Sequence, residues 1–375
     1  MSKLALVTGV NGQLGSYLVE LLLSKKYRVV GVYRRNANLN MDNLASVINN
    51  EDLELACGDI TDASCVFGLL SKYRPDEIYN CAAQSFVHVS FTEPGYTFSV
   101  DTLGVLNFLE GVKQLKLNSK FITMSTSEMF GRAASYIDKF QGLPIRYETL
   151  DAKGMSLEHS LFQDETTQFC PQSPYGIAKL AGYHLVRLYR EAYGLKCCSN
   201  INFNFESPRR GKEFVTRKIT NHVGKLARWG GDTYTLSRFT SLPMESKTDT
   251  KFSRPIRCKE SYLHLGNLDA KRDWGHAKDV ATACWLSLQQ DNLRDYVVST
   301  METHTVREFC QKAFSHIGLD YEQYVAINQA YYRPAEVDYL LGDSSMIRAK
   351  LGWKPTVTFD ELIEEMVYND IKAGR

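Results

Sequence analysis

The sequence predicts an α/β fold: a doubly wound parallel sheet joined to a smaller, mixed α/β C-terminal domain. Three observations carry that expectation. Residues 4–8 (LALVT) form a short apolar run ending in glycine, as a buried parallel strand does. Leu14, Tyr17, Leu18, Leu21, Leu22 and Leu23 then recur at helical spacing within residues 13–25, ahead of a second apolar run at 27–33. Strand, helix and strand within about thirty residues make a βαβ unit, with a right-handed crossover and parallel strands. Further strands are expected at 53–55, 77–82, 120–125 and 196–203, with helices at 63–73, 102–115 and 175–193 between them. Residues 1–200 thus read as a Rossmann-type domain.

Beyond residue 200 the regularity falls. Residues 305–317 and 359–372 are amphipathic helices of a substrate domain spanning mainly 201–375, while a stretch near 270–300 is expected to return to the sheet. Two polar stretches, 132–163 and 230–261, lack apolar periodicity, and loops of that length are usually functional lids or insertions.

Composition narrows the function. Hydrophobic residues make up 44% of the 375, which fits a globular chain. A net charge of +1 gives no global field for nucleic acid or an anionic membrane, so an anionic ligand must be held by local groups. Nine cysteines, an odd count without CxxC or Cys/His spacing, argue against a disulfide framework or a metal site. No apolar run approaches the ~20 residues that span a bilayer. Met1 leads straight into a strand without a signal peptide, and a cytoplasmic protein is expected.

Gly9, Gly12 and Gly15 form GxxGxxG at the first strand-to-helix turn, where glycines let a pyrophosphate approach the helix amides. The plainer reading is a tight turn. Arg34 and Arg35 follow the second strand, where an acidic residue would select NAD and arginine suits the 2′-phosphate of NADP. A solvated basic turn is the alternative. Asp59 in GDITD is placed to accept from an adenine amino group, and Asn80 with Ala82, Ala83, Gln84 and Ser85 follows the fourth strand. Tyr175 and Lys179 form YxxxK on one helical face, behind the helix-start signal Ser173-Pro174. An ammonium there stabilises phenolate and lowers the tyrosine pKa towards working pH, although YxxxK also arises by chance on helices. Thr126, Ser127 and Glu128 end the fifth strand. A hydroxyl there can bond the sugar oxygen, and Glu128 is the acid/base that elimination of water needs, unless it is an exposed loop glutamate.

At these residues the chain resembles the GDP-mannose 4,6-dehydratases, extended short-chain dehydrogenases/reductases, over nearly its whole length. The stretches are TGVNGQLGSYL from Thr8, YRRN from Tyr33, GDITD from Gly58, PDEIYNCAAQSFVHVSF from Pro75, STSEMFG from Ser125 and SPYGIAK from Ser173. More specific are ESPRRGKEFVTRKI from Glu206, GNLDAKRDWGHAKD from Gly266, ETHTVREF from Glu302 and RPAEVDYLLGD from Arg333. The resemblance implies that bound NADP+ is restored in each cycle. Tyr175, with Thr126 and Lys179, would take the C4 hydroxyl proton as hydride leaves C4. Glu128 would remove the acidified C5 proton and protonate the departing C6 hydroxyl, aided by Ser127, before hydride returns to C6.

The resemblance further implies a cofactor shell of Asn11, Gln13, Leu14, Ile60 and Arg210 beside the residues above. It places Ser85, Asn204, Glu206, Ser207 and Arg209 around the substrate, Lys218 and Arg272 on its diphosphate, and Arg333 and Glu336 around the GDP ribose and base. It also implies a homodimer or homotetramer, the segment from Arg34-Arg35 reaching a neighbouring subunit's cofactor. Three positions depart from the family: Leu14 for Asp, Phe86 for His and Phe205 for His. Phe205 has no side-chain donor, so it is not expected as a cofactor ligand. The 132–163 stretch, directly after STSEMFG, is expected to act as a lid on the sugar pocket or as an assembly contact. Other readings stay open: a dehydratase of a related GDP-hexose or GDP-heptose, a 4-epimerase or reductase that Glu128 disfavours, or a silent NADP-binding regulator.

Overall fold

The computed structural model describes residues 2–137, 144–147, 161–229, 262–332 and 335–373. Its central sheet comprises β1 (Leu4–Thr8), β2 (Arg28–Tyr33), β3 (Leu53–Cys57), β4 (Glu77–Asn80), β5 (Lys120–Thr126), β6 (Cys197–Asn202) and β7 (Tyr296–Val298). The order is β7-β6-β5-β4-β1-β2-β3, with every neighbouring pair parallel. Chain order reverses between β1 and β4, which opens a crevice at the carboxyl ends of these strands.

Helices α1 (Gln13–Ser24), α2 (Ala63–Tyr73), α3 (Gly104–Gln114), α4 (Pro174–Tyr193), α5 (Val215–Trp229), α6 (Ala277–Leu288), α7 (Val306–Ser315) and α8 (Phe359–Lys372) cover this frame. Leu14, Leu18 and Leu22 of α1 share one core with Val280, Ala281 and Cys284 of α6. Val66 and Leu70 of α2, Phe108 of α3 and Val186 of α4 form the core on the other face. A third core joins α5, α7 and α8 through residues such as Val223, Phe309 and Met366, and makes the smaller lobe. The paired segments Asn204–Glu206 and Trp274–His276 lead from the sheet into that lobe. Among the described residues no helix is long and apolar enough to cross a membrane.

The structure differs from the sequence expectation in physically interpretable places. The expected helix at 102–115 is a composite: Pro94–Phe98, a π-helical turn at Ser99–Leu103, then α3. That turn sits where Thr102 Oγ1 donates to the Ala178 carbonyl of α4 at 2.8 Å, a tertiary bond that no local pattern announces. Helix α5 went unread, and α6 and strand β7 were expected only as an unspecified return to the sheet near 270–300. Strand β7 is only three residues long, and charged residues break up the apolar positions Ile219, Val223 and Leu226 of α5. Of the two polar stretches, 138–143, 148–160 and 230–261 lie outside the described residues, and with them most of the expected lid. Within the first, Ala134–Ile137 pairs antiparallel with Pro144–Tyr147 and with Leu161–Phe162.

Candidate active site

The crevice is a cavity of about 1020 Å³ running from the glycine turn across the carboxyl ends of β1, β4 and β5 into the smaller lobe. At one end backbone geometry does the shaping. Gly9 has φ +62°, and a Cβ there would lie 3.0 Å from Ala82 backbone atoms. A Cβ on Gly15 would come within 2.3 Å of the Gly9 carbonyl oxygen, so the start of α1 is folded tightly onto the turn. Gly12 is the N-cap of α1 and brings no side-chain cap, whereas Asp62, Ser173, Thr305 and Thr358 cap α2, α4, α7 and α8. The amides of that first turn are thereby left to a ligand, and the cradle suits a pyrophosphate.

Asn11, Gln13 and Leu14 line the same end. Gln13 Nε2 donates to the Phe205 carbonyl at 3.0 Å, and Gln13 Oε1 accepts from Ser207 Oγ at 2.7 Å. Leu14, one of the departures, packs into the α1 core. Arg34 lines the cavity and donates to the Tyr96 hydroxyl, while Arg35 lies off it. Asp59 is held by the Thr61 amide and hydroxyl at 2.9 and 2.8 Å beside Ile60, and Ala82, Ala83, Gln84 and Ser85 continue the wall.

In the middle, β5 delivers Thr126, the single 3-10 turn after it delivers Ser127 and Glu128, and α4 delivers Tyr175 and Lys179, all into one cavity. A Cβ on Gly176 would come within 2.8 Å of the Glu128 carbonyl oxygen, so glycine permits this close approach of α4. Thr126 Oγ1 accepts from the Glu128 amide at 3.3 Å, and the Thr126 side chain lowers the pKa of the neighbouring Tyr175 phenol. Lys179 donates to the Met124 carbonyl at 2.9 Å and lies 5.9 Å from the Tyr175 ring centre.

Electrostatically this centre departs from the simple dyad that YxxxK suggests. Burial pushes the Tyr175 phenol above its ordinary value, Lys179 pulls it down, and Asp101 pushes it up again. Asp101, in the π-helical turn, sits 3.2 Å from the Lys179 ammonium, with both side chains buried. Sequence reasoning missed Asp101. Its one signal is an acidic residue in an otherwise core-facing helical stretch.

At the far end the polar groups are long side chains, mostly tied to one another. Asn204 and Glu206 line the cavity, and buried Glu206 accepts from Thr216 Oγ1 at 2.7 Å and lies 3.2 Å from Arg210 Nε. The Arg210 guanidinium lies 3.5 Å from the Phe214 ring centre and 6.0 Å from that of Phe205. Phe86 meets Phe214 edge-on at 5.4 Å. Two of the three departures therefore belong to one aromatic wall, and Phe214 is a lining residue that the sequence reading did not single out. Arg272 pairs with Glu336 at 3.2 Å. Lys218 stands 4.6 Å from the Tyr331 ring centre, and partial burial lowers its pKa against the opposing pull of Glu213.

Two expected substrate contacts sit elsewhere. Ser207 is fully buried behind the lining, its hydroxyl bonded to Gln13. Arg209 binds Ser16 Oγ and Glu20 at 3.0 and 2.6 Å and stacks on Tyr17, outside the cavity. Arg333 lies outside the described residues.

A glycine cradle, a tyrosine-lysine pair and a carboxylate around one crevice define a nicotinamide-dependent enzyme of the epimerase/dehydratase class. Residues 5–299 match the NAD dependent epimerase/dehydratase family and residues 244–366 the GDP-mannose 4,6 dehydratase model. The chain is 40% identical to the GDP-mannose 4,6 dehydratases of Cricetulus griseus and Homo sapiens, over all of its own length and 92% of theirs. Among solved structures, the dTDP-glucose 4,6-dehydratase DesIV of Streptomyces venezuelae, with NAD and TYD bound, shares the fold at TM-score 0.76 and 21% identity, covering 98% of this chain and 96% of that one. RMD from Pseudomonas aeruginosa, complexed with NADPH, does so at TM-score 0.69 and 16% identity, covering 99% of this chain and 100% of the other. The chain belongs to the GDP-mannose 4,6-dehydratase family.

Proposed function

We propose that the chain converts GDP-mannose to GDP-4-keto-6-deoxymannose and water, using NADP. The observation that carries the reading is the meeting of Glu128 with Tyr175, Lys179 and Thr126 in one cavity, an elimination carboxylate beside an alcohol-oxidising pair. The glycine turn with Asn11, Gln13 and Leu14 would hold the cofactor, with Arg34 on its 2′-phosphate and Asp59 near its base. A nicotinamide held there would supply the hydride acceptor for C4 and the donor for C6, leaving the reaction with no net redox change.

The chain's own groups move the protons. Tyr175 Oη takes the C4 hydroxyl proton, with Thr126 and Lys179 both favouring its anion. A ketone at C4 acidifies the C5 proton, which the Glu128 carboxylate removes. Glu128 then delivers a proton to the departing C6 hydroxyl, with Ser127 assisting. In this reading residues 1–200, with about 270–300, hold the cofactor, and the rest of 201–375 holds the sugar nucleotide. Lys218 and Arg272 meet the diphosphate, Arg333 and Glu336 the GDP ribose and base.

The chain is read as a cytoplasmic homodimer or homotetramer. The eight cysteines among the described residues are free, which suits a reducing compartment. Leu103, Ile177 and Leu188 are exposed on two adjoining helical segments, which suits burial against a second copy. The test is GDP-mannose deuterated at C4, incubated with catalytic NADP+. Loss of one water with deuterium recovered at C6 is expected. Unchanged substrate in protein that binds NADP would move the reading to another GDP-hexose or GDP-heptose, in line with the aromatic wall of Phe86 and Phe205. Net consumption of NADPH would replace it with a reductase.

A further inference from the structure

Asp101 has no role in the reaction just described, and its surroundings are unusual for a carboxylate. Its side chain is fully buried, and neither carboxyl oxygen makes a well-directed hydrogen bond. A buried charge without a partner is costly, and the nearest compensating charge is the Lys179 ammonium at 3.2 Å. The backbone is shaped to bring the two together. The π-helical turn Ser99–Leu103 carries Asp101 against α4, and such turns recur at functional sites. Thr102 Oγ1 fastens the turn to the Ala178 carbonyl, and Gly182 leaves room for it, since a Cβ there would lie 2.8 Å from the Asp101 carbonyl oxygen.

We propose that Asp101 is the counter-ion that keeps buried Lys179 charged and aimed at Tyr175, a positioning residue that acts on the proton transfer through the lysine. The groups facing Lys179 are Tyr175 on its own helix, Asp101 on the π-helical turn, Cys81 after β4 and the Met124 carbonyl on β5. Glu128 faces Tyr175 from the turn after β5, and the Gln84 amide faces Asp101. Of these, the Cys81 thiol is pushed up to about 12 by burial and stays neutral at working pH, which leaves Asp101 as the anion beside the ammonium. Burial lowers the Lys179 pKa and Asp101 raises it, with a net rise, so the lysine stays charged at working pH. Removing the carboxylate charge leaves burial as the dominant influence, and Lys179 then loses its proton at a lower pH. The same carboxylate opposes the Tyr175 phenolate, so the arrangement gives up some acidification of tyrosine for a lysine that stays charged.

The inference rests on the Tyr175–Lys179 reading above, and the experiment separates the two. The rate of GDP-mannose turnover is followed across the neutral and alkaline range in the wild type, Asp101→Asn and Lys179→Met, with NADP binding measured by fluorescence titration. For Asp101→Asn the alkaline limb of kcat is expected to move down by about one pH unit or more, with NADP affinity within about twofold of wild type. A limb left in place overturns the proposal, whether the rate is unchanged or uniformly lowered, because a packing defect alone lowers the rate at every pH. Full turnover by Lys179→Met would instead sink the Tyr175–Lys179 reading itself. Should Asp101→Asn not fold, Asp101→Ala is assayed with formate and with formamide. Recovery with formate alone supports a charge role, and equal behaviour of the two additives overturns it.

Discussion

The two ends of the cavity are built from different materials. The cofactor end is shaped by backbone: three glycines, a positive φ at Gly9 and an N-cap of α1 that leaves the helix amides open. The end proposed for the sugar nucleotide is shaped by long side chains, with Glu206 against Arg210, an arginine expected beside the cofactor, and Arg272 against Glu336. Backbone shape tolerates almost no substitution, because an added Cβ meets main chain. Side-chain charge can be removed one group at a time, at the cost of binding more than of fold. The centre, where Tyr175, Lys179 and Asp101 meet, combines both: charges held in register by a distorted helix.

The largest effect is expected at that centre. Tyr175→Phe removes the proton acceptor, and kcat for GDP-mannose should fall by about 10³-fold, with NADP binding kept. A loss under tenfold in a steady-state assay would mean that another group takes the C4 proton. Next is Gly15→Ala, whose Cβ would sit 2.3 Å from the Gly9 carbonyl oxygen. It should lower stability by about 1–3 kcal/mol in a urea melt and weaken NADP by about tenfold or more, while KM for GDP-mannose moves less. Equal damage to both ligands would show that the two ends are not separable.

This division also explains what was legible in the sequence. Glycine spacing, strand-helix alternation and YxxxK are local patterns whose physical meaning is fixed by backbone geometry, so the first six strands of the sheet and the glycine turn could be read directly. Boundaries shifted where tertiary contacts decided them, as at the π-helical turn held by Thr102 and Ala178. The nucleotide end gave no local signal, because Lys218, Arg272 and Glu336 are distant in sequence and converge only in the fold. Their assignment came from resemblance, and resemblance cannot say which arginine of ESPRRG faces inward. The structure turns Arg210 into the cavity and Arg209 away from it.

Lys218 tests the side-chain end. No carboxylate lies within ion-pair distance of it among the described residues, and it rests against Tyr331, so its charge is available to a phosphate. Lys218→Ala should raise KM for GDP-mannose by about tenfold with kcat within about twofold. Partial burial lowers its pKa, so the charged form is lost as pH rises through that lowered value. The alkaline rise of KM in the wild type should therefore begin earlier than in Lys218→Arg, whose guanidinium stays charged. Coincident KM profiles would remove Lys218 from the diphosphate site.

The smallest effect is expected at Arg209, and it is the sharpest test of placement against resemblance. The resemblance puts Arg209 beside the substrate. The fold puts its guanidinium on Ser16 and Glu20 of α1, over the Tyr17 ring. An arginine bound there fastens the segment after Glu206 to the first helix and does not line the cavity. Arg209→Ala should leave KM for GDP-mannose within about twofold and cost about 1 kcal/mol of stability, in line with a partly exposed ion pair. A KM raised tenfold with an unchanged melt would mean that Arg209 leaves Glu20 and turns inward when the diphosphate binds, and the division between the two ends would then hold only for the ligand-free protein.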